Sequence, residues 1–391
     1  MSGHVKEHGR DRWRIFVELG RDKANKRVRR TEVVTGTKRA ALRRLRELET
    51  GVDSGAVVPA AGRTVRDYVE REWMPMKEAR LRATTLRGYR VILNRNVLPV
   101  IGDMKIQKVA SPDIQRVTAG LVEAGHLTQA NRVHVLLGMI WRAAVRGRVV
   151  GYNVVDAIEA PKAHRREMTA LDPSQVHTFL DWLRRRGSWA VVPFTLLFTS
   201  GIRRSELTGL RWSDFDAAGG LLHVRRSVHF LPGARMVIEA PKTRRAGRAI
   251  ALDPGTVAML GEHRSECERR ALMFGRALSA DCPMFCPPGE LGKGLAARPW
   301  RNGTYTRLWW RTCKALGIRA RLHDARHTSV SLLLQAGVNV RVVADRHGHS
   351  DPSFTLRQYG HTMPGSDVDA ARRLADVLAL RPAPAPVLPA A

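Results

Sequence analysis

The chain has little cysteine for its length. Its 391 residues include four: Cys267, Cys282, Cys286 and Cys313. So few cysteines argue against a disulfide-based scaffold and indicate a reducing compartment, for which we expect the cytoplasm. A structural zinc site on Cys282 and Cys286 is disfavoured, because no second Cys/His pair follows at finger-like spacing.

The chain also lacks a long apolar run. Its longest apolar stretch, residues 189–198, is far shorter than a membrane span, and the opening MSGHVKEHGRDRWR has no apolar core that could act as a signal peptide. We therefore expect no membrane partner.

Acidic residues are few relative to basic ones. Asp and Glu total 36 against 66 Lys and Arg, giving a formal charge of +30, and the sequence pI is about 11.3. Such an excess is typical of proteins that bind polyanions, and nucleic acid is the expected partner. The alternative is an arginine-rich coding bias with no binding role, but bias alone does not normally leave acids so far behind.

The first region predicts a small sheet packed on one helix. Apolar and polar residues alternate from Trp13 to Leu19, a turn follows at Gly20-Arg21-Asp22, and a basic strand is expected over residues 26–34. Residues 38–48 then have helical spacing. Basic side chains crowd these elements, and we interpret them as DNA contacts rather than as a solvated surface. The candidates are Arg14, Arg27, Arg29, Arg30, Lys38 and Arg39.

The second region predicts a bundle of four or five helices. Residues 51–62 have linker composition, and Thr64-Val65-Arg66-Asp67 is a plausible helix start. Apolar residues recur at intervals of three and four within residues 84–93, 111–124 and 128–144. The bundle could be purely structural, although its basic charge favours DNA clamping.

The third region begins after a linker at residues 161–167. An apolar helix is expected over residues 188–199, and a second helix begins at Arg203, with Glu206 on the same face where it can brace the guanidinium. An ordinary surface ion pair is the alternative. Three antiparallel strands are predicted at residues 221–228, 236–239 and 248–252, with Lys242 in a turn between the last two.

Two histidines and an arginine then follow within five positions. His323 and Arg326 share a helical face, whereas His327 is interpreted as a core or interface histidine. Four-residue spacing of His323 and His327 also suits two zinc ligands, but Asp324 replaces the glutamate of that motif and no third ligand follows at fixed spacing. His349 and Tyr359 complete the set of candidate side chains.

These residues, in this order and spacing, resemble the phage-type integrases of the tyrosine recombinase family. The likeness rests on Ser200-Gly201-Ile202-Arg203, Pro241-Lys242-Thr243, His323-Asp324-Ala325-Arg326-His327, Gly348-His349-Ser350 and Tyr359. Ala325 stands where the family usually has a larger apolar residue and His347 where it usually has Leu, so we expect different local packing there.

The resemblance implies a multidomain α+β protein, mainly α with small antiparallel sheets. We expect an arm-type DNA-binding domain at residues 1–55, a helical core-binding SAM-like domain at 64–160, a mixed α/β catalytic domain at 169–380 and a disordered tail at 381–391. The segment 366–380, helical by pattern, would dock on a neighbouring protomer or pack in cis.

The resemblance also implies the chemistry. Tyr359 would attack a DNA phosphodiester and form a 3′-phosphotyrosyl link, with Arg203 and Arg326 stabilising the charge on the phosphate. Lys242 would act as general acid, and His323 as base or proton relay. His349 would donate a hydrogen bond to the phosphate.

No metal or other cofactor is expected. The expected partners are double-stranded attachment sites, a homotetramer on DNA and DNA-bending or directionality factors. Two alternatives use similar residues: a relaxing topoisomerase, which needs no arm-like domain, and a DNA-binding regulator with a vestigial site.

Overall fold

The structure is a computed structural model. It describes residues 3–21, 27–53, 62–162, 168–240, 247–349, 351–359, 371–372, 374–376 and 378. The chain divides into two compact units, Met1–Arg166 and Glu167–Ala391. Lys242, most of the segment 366–380 and the whole expected tail at 381–391 lie outside the described residues.

The first unit begins with a three-stranded antiparallel sheet and one helix. The strands β1 (His4–Glu7), β2 (Arg12–Arg21) and β3 (Arg27–Thr35) pair in that order, and α1 (Lys38–Asp53) packs on them. Alternation along β2 buries Ile15 and Val17 against Leu45 and Leu48 of the helix.

The predicted hairpin and helix are both present, with three corrections. Strand β2 continues to Arg21, so the turn expected at Gly20-Arg21-Asp22 begins too early. The strand β1 was not predicted. The linker expected from residue 51 begins too early, because residues 51–53 still belong to α1. The Gly51 that suggested a linker is tolerated inside this helix at a cost of about 1 kcal/mol relative to Ala.

The rest of the first unit is helical. A continuous run comprises α2 (Val65–Tyr68), Val69–Trp73 and α3 (Met74–Glu78), and a second comprises α4 (Ala83–Ile92), Leu93–Val97 and α5 (Leu98–Ile101); α6 (Ser111–Glu123) and α7 (Leu127–Arg146) follow. Thr64 caps α2 as predicted, accepting from the backbone of Asp67 at 3.0 Å.

The second unit combines eight α-helices with short strands among its described residues. The helices are α8 (Pro173–Arg184), α9 (Val191–Ser200), α10 (Arg204–Gly209), α11 (Pro254–Met273), α12 (Asn302–Ala315), α13 (Asp324–Gln335), α14 (Val340–His347) and α15 (Pro352–Tyr359). The strands are β4 (Phe215–Asp216), β5 (Leu221–Val224), β6 (Ser227–Phe230), β7 (Met236–Glu239) and β8 (Arg248–Ala251). Aromatic rings around Phe179, Phe194 and Trp309 form the centre of its core.

Two of the three strands predicted in this unit are present, as β7 and β8, but the first is wrong. The run 221–228 divides into β5 and β6, which belong to different antiparallel sheets, ordered β4-β5-β8 and β6-β7. The chain breaks at Arg226, whose guanidinium turns inward to the carbonyl of Gly209 at 3.1 Å and to the buried carboxylate of Asp214 at 3.2 Å. These partners satisfy a charge that would be costly to bury alone.

Candidate active site

Arg203 lies at the amino-terminal end of α10, in extended backbone geometry. Its Nη1 donates to Oε1 of Glu206 at 2.7 Å, and its backbone N–H donates to Oε2 at 2.9 Å. Its Nη2 reaches the carbonyl of Gly348, 3.2 Å away. The side chain is 37% exposed, so Glu206 braces a guanidinium that still faces solvent, as the spacing in the sequence predicted.

A second arginine, Arg248, binds the same carboxylate and was not among the predicted site residues. Its Nη2 donates to Glu206 Oε2 at 3.0 Å, and its Nε donates to the carbonyl of Arg346 at 2.7 Å. Arg248 and Ile250 are the inward-facing positions of β8, since exposure alternates along this strand. An arginine in the inward phase of an alternating strand is the sequence signal that could have revealed it.

Arg326 is the most deeply buried of these arginines. It is 4% exposed, and its fork donates to the carbonyl of Gly201 at 2.7 Å and to the carbonyl of His347. Arg203 and Arg326 therefore contact adjacent carbonyls, those of Gly348 and His347, at the end of α14. The structure brings together the two guanidiniums that lie 123 positions apart in the chain.

This junction depends on close packing between Gly201 and His347. Gly201 ends α9 with φ +61°, and a Cβ built on it would lie 2.2 Å from Nε2 of His347. The buried His347 ring bonds to the carbonyl of Val343 at 2.8 Å and to Ser329 Oγ at 3.2 Å. The departure from the family pattern at His347 is thus accommodated by polar partners within α13 and α14.

The hydroxyl of Tyr359 hydrogen-bonds with Nδ1 of His327. Tyr359 is 2% exposed and packs with Val330, Leu334 and Val343. His323, at the amino-terminal end of α13, contacts His327 edge to face with ring centroids 4.8 Å apart. The bond between Tyr359 and His327 was not anticipated from the sequence, which assigned His327 a packing role.

His349 follows the left-handed turn at Gly348 that ends α14. Its Nδ1 shares a hydrogen bond with Thr355 Oγ1 at 2.8 Å, which fixes the ring relative to α15. Burial, followed by the positive charges of Arg326 and Arg203, lowers the pKa of His349 to about 3. The imidazole is neutral at physiological pH and can donate a hydrogen bond from one nitrogen.

The cluster is positively charged. Glu206 is the buried carboxylate among the groups that shift the pKa of Arg326. Burial, then the charges of Arg203 and Arg248, lowers the pKa of Arg326 to about 9, so it remains charged at neutral pH. Burial alone would raise the pKa of Glu206, but Arg248 and then Arg203 outweigh it and hold that pKa below its ordinary value. Three guanidiniums around one carboxylate leave a net positive site suited to an anion.

The predicted DNA-contact residues lie on the sheet and helix of the first unit. Arg29 and Arg30 are exposed on β3 and pair with Glu18 at 3.3 Å and Glu32 at 3.4 Å. The remaining positions are distributed over neighbouring elements. Arg14 lies half-buried on β2, Arg27 begins β3 with its side chain outside the described atoms, and Lys38 and Arg39 are exposed at the start of α1.

Within the described ranges, no group of three or more His, Cys, Asp or Glu side chains could hold a metal ion. All four cysteines carry free thiols. No helix of the described part is long and apolar enough to cross a membrane.

Family models match both the second unit and the helical part of the first. Residues 169–365 match the Phage integrase family, and residues 64–122 match the Phage integrase N-terminal SAM-like domain. The chain belongs to the phage integrase family. It is a site-specific tyrosine recombinase of the integrase type, which breaks and rejoins DNA.

Individual relatives agree with this assignment. The ICEBs1 integrase of Bacillus subtilis is 24% identical over 75% of this chain and 77% of its own length. A XerC-like tyrosine recombinase of Caldanaerobacter subterraneus is 25% identical over 96% of this chain and 98% of its own length.

Solved structures share the fold at lower identity. The Tn1549 transposon integrase bound to transposon right end DNA has a TM-score of 0.64 at 19% identity, covering 81% of this chain and all of that one. A lambda integrase tetramer bound to a Holliday junction has a TM-score of 0.57 at 15% identity, covering 93% of this chain and 96% of that one. The expected multidomain architecture, mainly helical with small antiparallel sheets, is confirmed.

Proposed function

We propose that Tyr359 is the nucleophile of this recombinase and attacks the scissile phosphodiester to form a 3′-phosphotyrosyl link and a free 5′-hydroxyl. One phosphoester replaces another, so the energy of the bond is retained and no ATP is required. The phosphate is then passed to the 5′-hydroxyl of a second strand, and the tyrosine is regenerated. Two guanidiniums and a lysine provide the charge this chemistry needs, so we propose no cofactor.

The observation that carries this proposal is the convergence of Arg203 and Arg326 on the carbonyls of residues 347–348. A phosphodiester beside this turn would meet both guanidiniums, which neutralise charge growing on the non-bridging oxygens. Donors already fixed by Glu206 and by backbone carbonyls need little reorganisation when that charge develops. Loss of one such donor typically costs about 10²- to 10³-fold in rate.

The remaining roles concern proton transfer. Lys242 is proposed as the general acid for the departing 5′-oxygen, a role that suits a compact ammonium on a flexible stem. His323 is proposed as base or proton relay for the tyrosine, and His349 as a hydrogen-bond donor to the phosphate. The position of His323 against His327, which itself bonds Tyr359, supports the relay role.

The division of labour along the chain is also proposed. Residues 1–55 would bind arm-type sites, residues 64–160 would clamp the core site, and residues 169–380 would perform catalysis. Four protomers would act on two double-stranded attachment sites in the cytoplasm, with bending or directionality factors. The support is the basic charge of the chain and the similar lambda integrase fold, which binds a Holliday junction as a tetramer.

A trapping experiment tests the catalytic role. Sequencing the DNA that borders the gene would first be used to find a direct repeat. Nicked duplexes tiled across that repeat would be incubated with the full chain, because loss of the short strand after cleavage traps the covalent adduct. We expect a protein–DNA adduct from wild type and from Tyr152→Phe, which changes an exposed tyrosine, and none from Tyr359→Phe. An undiminished adduct from Tyr359→Phe, or none from wild type, would refute the role of Tyr359.

The same reagents separate the alternative functions. A topoisomerase would relax supercoiled plasmid that lacks the repeat, whereas this recombinase should join two repeat-bearing duplexes. A DNA-binding regulator with a vestigial site would bind the repeat without forming any adduct.

A further inference from the structure

The nucleophile's hydroxyl already has a specific partner in the structure. Oη of Tyr359 and Nδ1 of His327 form a hydrogen bond, and the two ring centroids are 5.7 Å apart. The contact joins α15 to the second turn of α13, one position after Arg326. His323, the residue expected to serve this tyrosine, instead makes a ring contact with His327.

We propose that His327 is a further catalytic residue of the recombination reaction: its Nδ1 accepts the proton of Tyr359 as the tyrosine oxygen attacks phosphorus. The inference rests on the proposed role of Tyr359 as nucleophile. It changes the expected sequence of proton transfers, because His327 accepts the proton directly from Tyr359 and His323 would receive it only afterwards.

The step balances without any added reactant. The Tyr359 O–H bond breaks and its proton passes to Nδ1 of His327, while the Oη–P bond forms and the P–O5′ bond breaks. The departing 5′-oxygen takes a proton from the general acid proposed above. In the rejoining step the 5′-hydroxyl returns its proton to the neutral amine of Lys242 as the O5′–P bond forms. The Oη–P bond breaks, and the imidazolium of His327 returns its proton to Oη.

The proposed step requires one tautomer of His327. A neutral imidazole has one N–H and one acceptor nitrogen, so Nδ1 can accept from the hydroxyl only when Nε2 carries the proton. Burial of Tyr359 raises its pKa to about 12, which keeps the hydroxyl protonated and able to donate. Tyr359 is also held by apolar neighbours, so the direction of Oη is defined by packing as well as by this bond.

His327 is neutral before DNA arrives. Burial, followed by the charge of His323, lowers the pKa of His327 to about 4. A phosphodiester bound by the arginines would bring negative charge into the same cluster and raise that pKa toward the range useful for a base. The ionisable groups that face the ring are His323, Asp324, Arg326 and Arg321 around α13, His349 after α14, and Tyr359 on α15.

The first test is single-turnover cleavage of the nicked repeat duplexes between pH 7 and 9 by wild type, His327→Asn and His327→Ala. The side-chain oxygen of asparagine lies near the position of Nδ1 and accepts a hydrogen bond, but it is not basic. We expect both variants to cleave about 10²- to 10⁴-fold more slowly at pH 7, the usual loss for a removed general base. Retention of rate by His327→Asn would show that the histidine only positions the hydroxyl and would overturn the proposal.

The pH profile gives a readout that a structural role would not move. Without a base, attack depends on the tyrosinate, whose fraction grows tenfold per pH unit below the pKa of Tyr359. We expect the variant rates to rise about tenfold per unit while wild type changes little. A flat profile in the variants, or a rising profile in His323→Asn but not in His327→Asn, would overturn the proposal.

Two controls separate this inference from the proposed function itself. DNA carrying a 5′-bridging phosphorothiolate has a thiolate leaving group that needs no general acid, so it should rescue Lys242→Ala but not His327→Asn. If wild type forms no adduct that depends on Tyr359, the proposed function fails. If that adduct forms and His327→Asn behaves as wild type, only the role of His327 fails.

A measurement on the unaltered protein does not depend on the cleavage rates of the variants. Nitrogen-15 NMR of histidine-labelled full chain reports which ring nitrogen carries the proton. We expect the His327 resonance, assigned by its loss in His327→Asn or His327→Gln, to show protonated Nε2 and unprotonated Nδ1. A proton on Nδ1 would refute the proposal.

Discussion

The carboxylate of Glu206 and the guanidinium of Arg248 form a buried ion pair, with Oε2 3.0 Å from Nη2. Their side chains are 5% and 6% exposed, respectively. The same carboxylate braces Arg203. The pair therefore links strand β8, through helix α10, to a guanidinium proposed to bind phosphate.

Replacing Arg248 by Met should destabilise the protein strongly. Truncation leaves the Glu206 carboxylate buried with one cation fewer, and breaking a buried pair typically costs about 3–5 kcal/mol. Urea unfolding of the full chain measures the change. The matched control is Arg225→Met, because Arg225 is 53% exposed beside Asp214 and should cost under about 1 kcal/mol. If the losses of unfolding free energy in Arg248→Met and Glu206→Gln simply add in the double variant, the two side chains are not energetically coupled and the prediction fails.

Glu206 should also make stability depend on pH in the acid range. Its folded pKa lies below the ordinary value of 4.5, so the charged form contributes stability above that value, and this contribution is lost as pH falls through the folded pKa. The difference in unfolding free energy between wild type and Glu206→Gln should therefore shrink as pH falls below 4.5. The exposed Glu159→Gln serves as control, and a Glu206→Gln difference that stays constant would contradict the argument.

Replacing Gly201 by Ala should damage the junction that holds Arg326. The added Cβ would lie 2.2 Å from Nε2 of the buried His347, at a backbone φ of +61°. Gly187→Ala is a close control, because its φ is +56° and no atom lies within 4 Å of the built Cβ. Gly187→Ala should lose only the left-handed cost of about 1–2 kcal/mol, whereas Gly201→Ala should lose more and should also cleave DNA more slowly. Equal losses of stability and unchanged cleavage would show that the packing is not critical.

The sequence predicted the elements whose periodicity is regular. The hairpin before Thr35 and the helices near residues 84–93, 111–124 and 128–144 were predicted because each buries one face at a fixed spacing. The run 221–228 was misread as one strand. Alternation continues through Arg226, and only the tertiary position of Asp214 shows that this arginine turns inward.

The sequence predicted one local contact of the candidate site and missed two contacts between elements that are distant in the chain. Arg203, with Glu206 at three-residue spacing, is a local relationship that a helix fixes. The inward arginine Arg248 and the contact of Tyr359 with His327 depend on elements far apart in the chain. His323 and His327 lie one helical turn apart at the start of α13. No local pattern therefore shows which of the two contacts a tyrosine on another helix.

Loss of the hydroxyl should affect the unfolding free energy differently at two buried tyrosines, Tyr305 and Tyr359. Tyr305 is fully buried, and its hydroxyl has no hydrogen-bond partner among the described residues, whereas the Tyr359 hydroxyl bonds His327. Removing an unsatisfied buried hydroxyl relieves a desolvation cost, so Tyr305→Phe should leave the unfolding free energy unchanged or raise it by about 1 kcal/mol.

Tyr359→Phe should instead lose about 1 kcal/mol with its hydrogen bond, as well as the covalent adduct. Denaturant unfolding of the full chain measures both variants, and the adduct assay separates them again because Tyr305→Phe keeps the proposed nucleophile. A destabilised Tyr305→Phe would mean that its hydroxyl finds a partner in solution. A Tyr359→Phe variant as stable as wild type would mean that the bond to His327 contributes no net stability to the folded state.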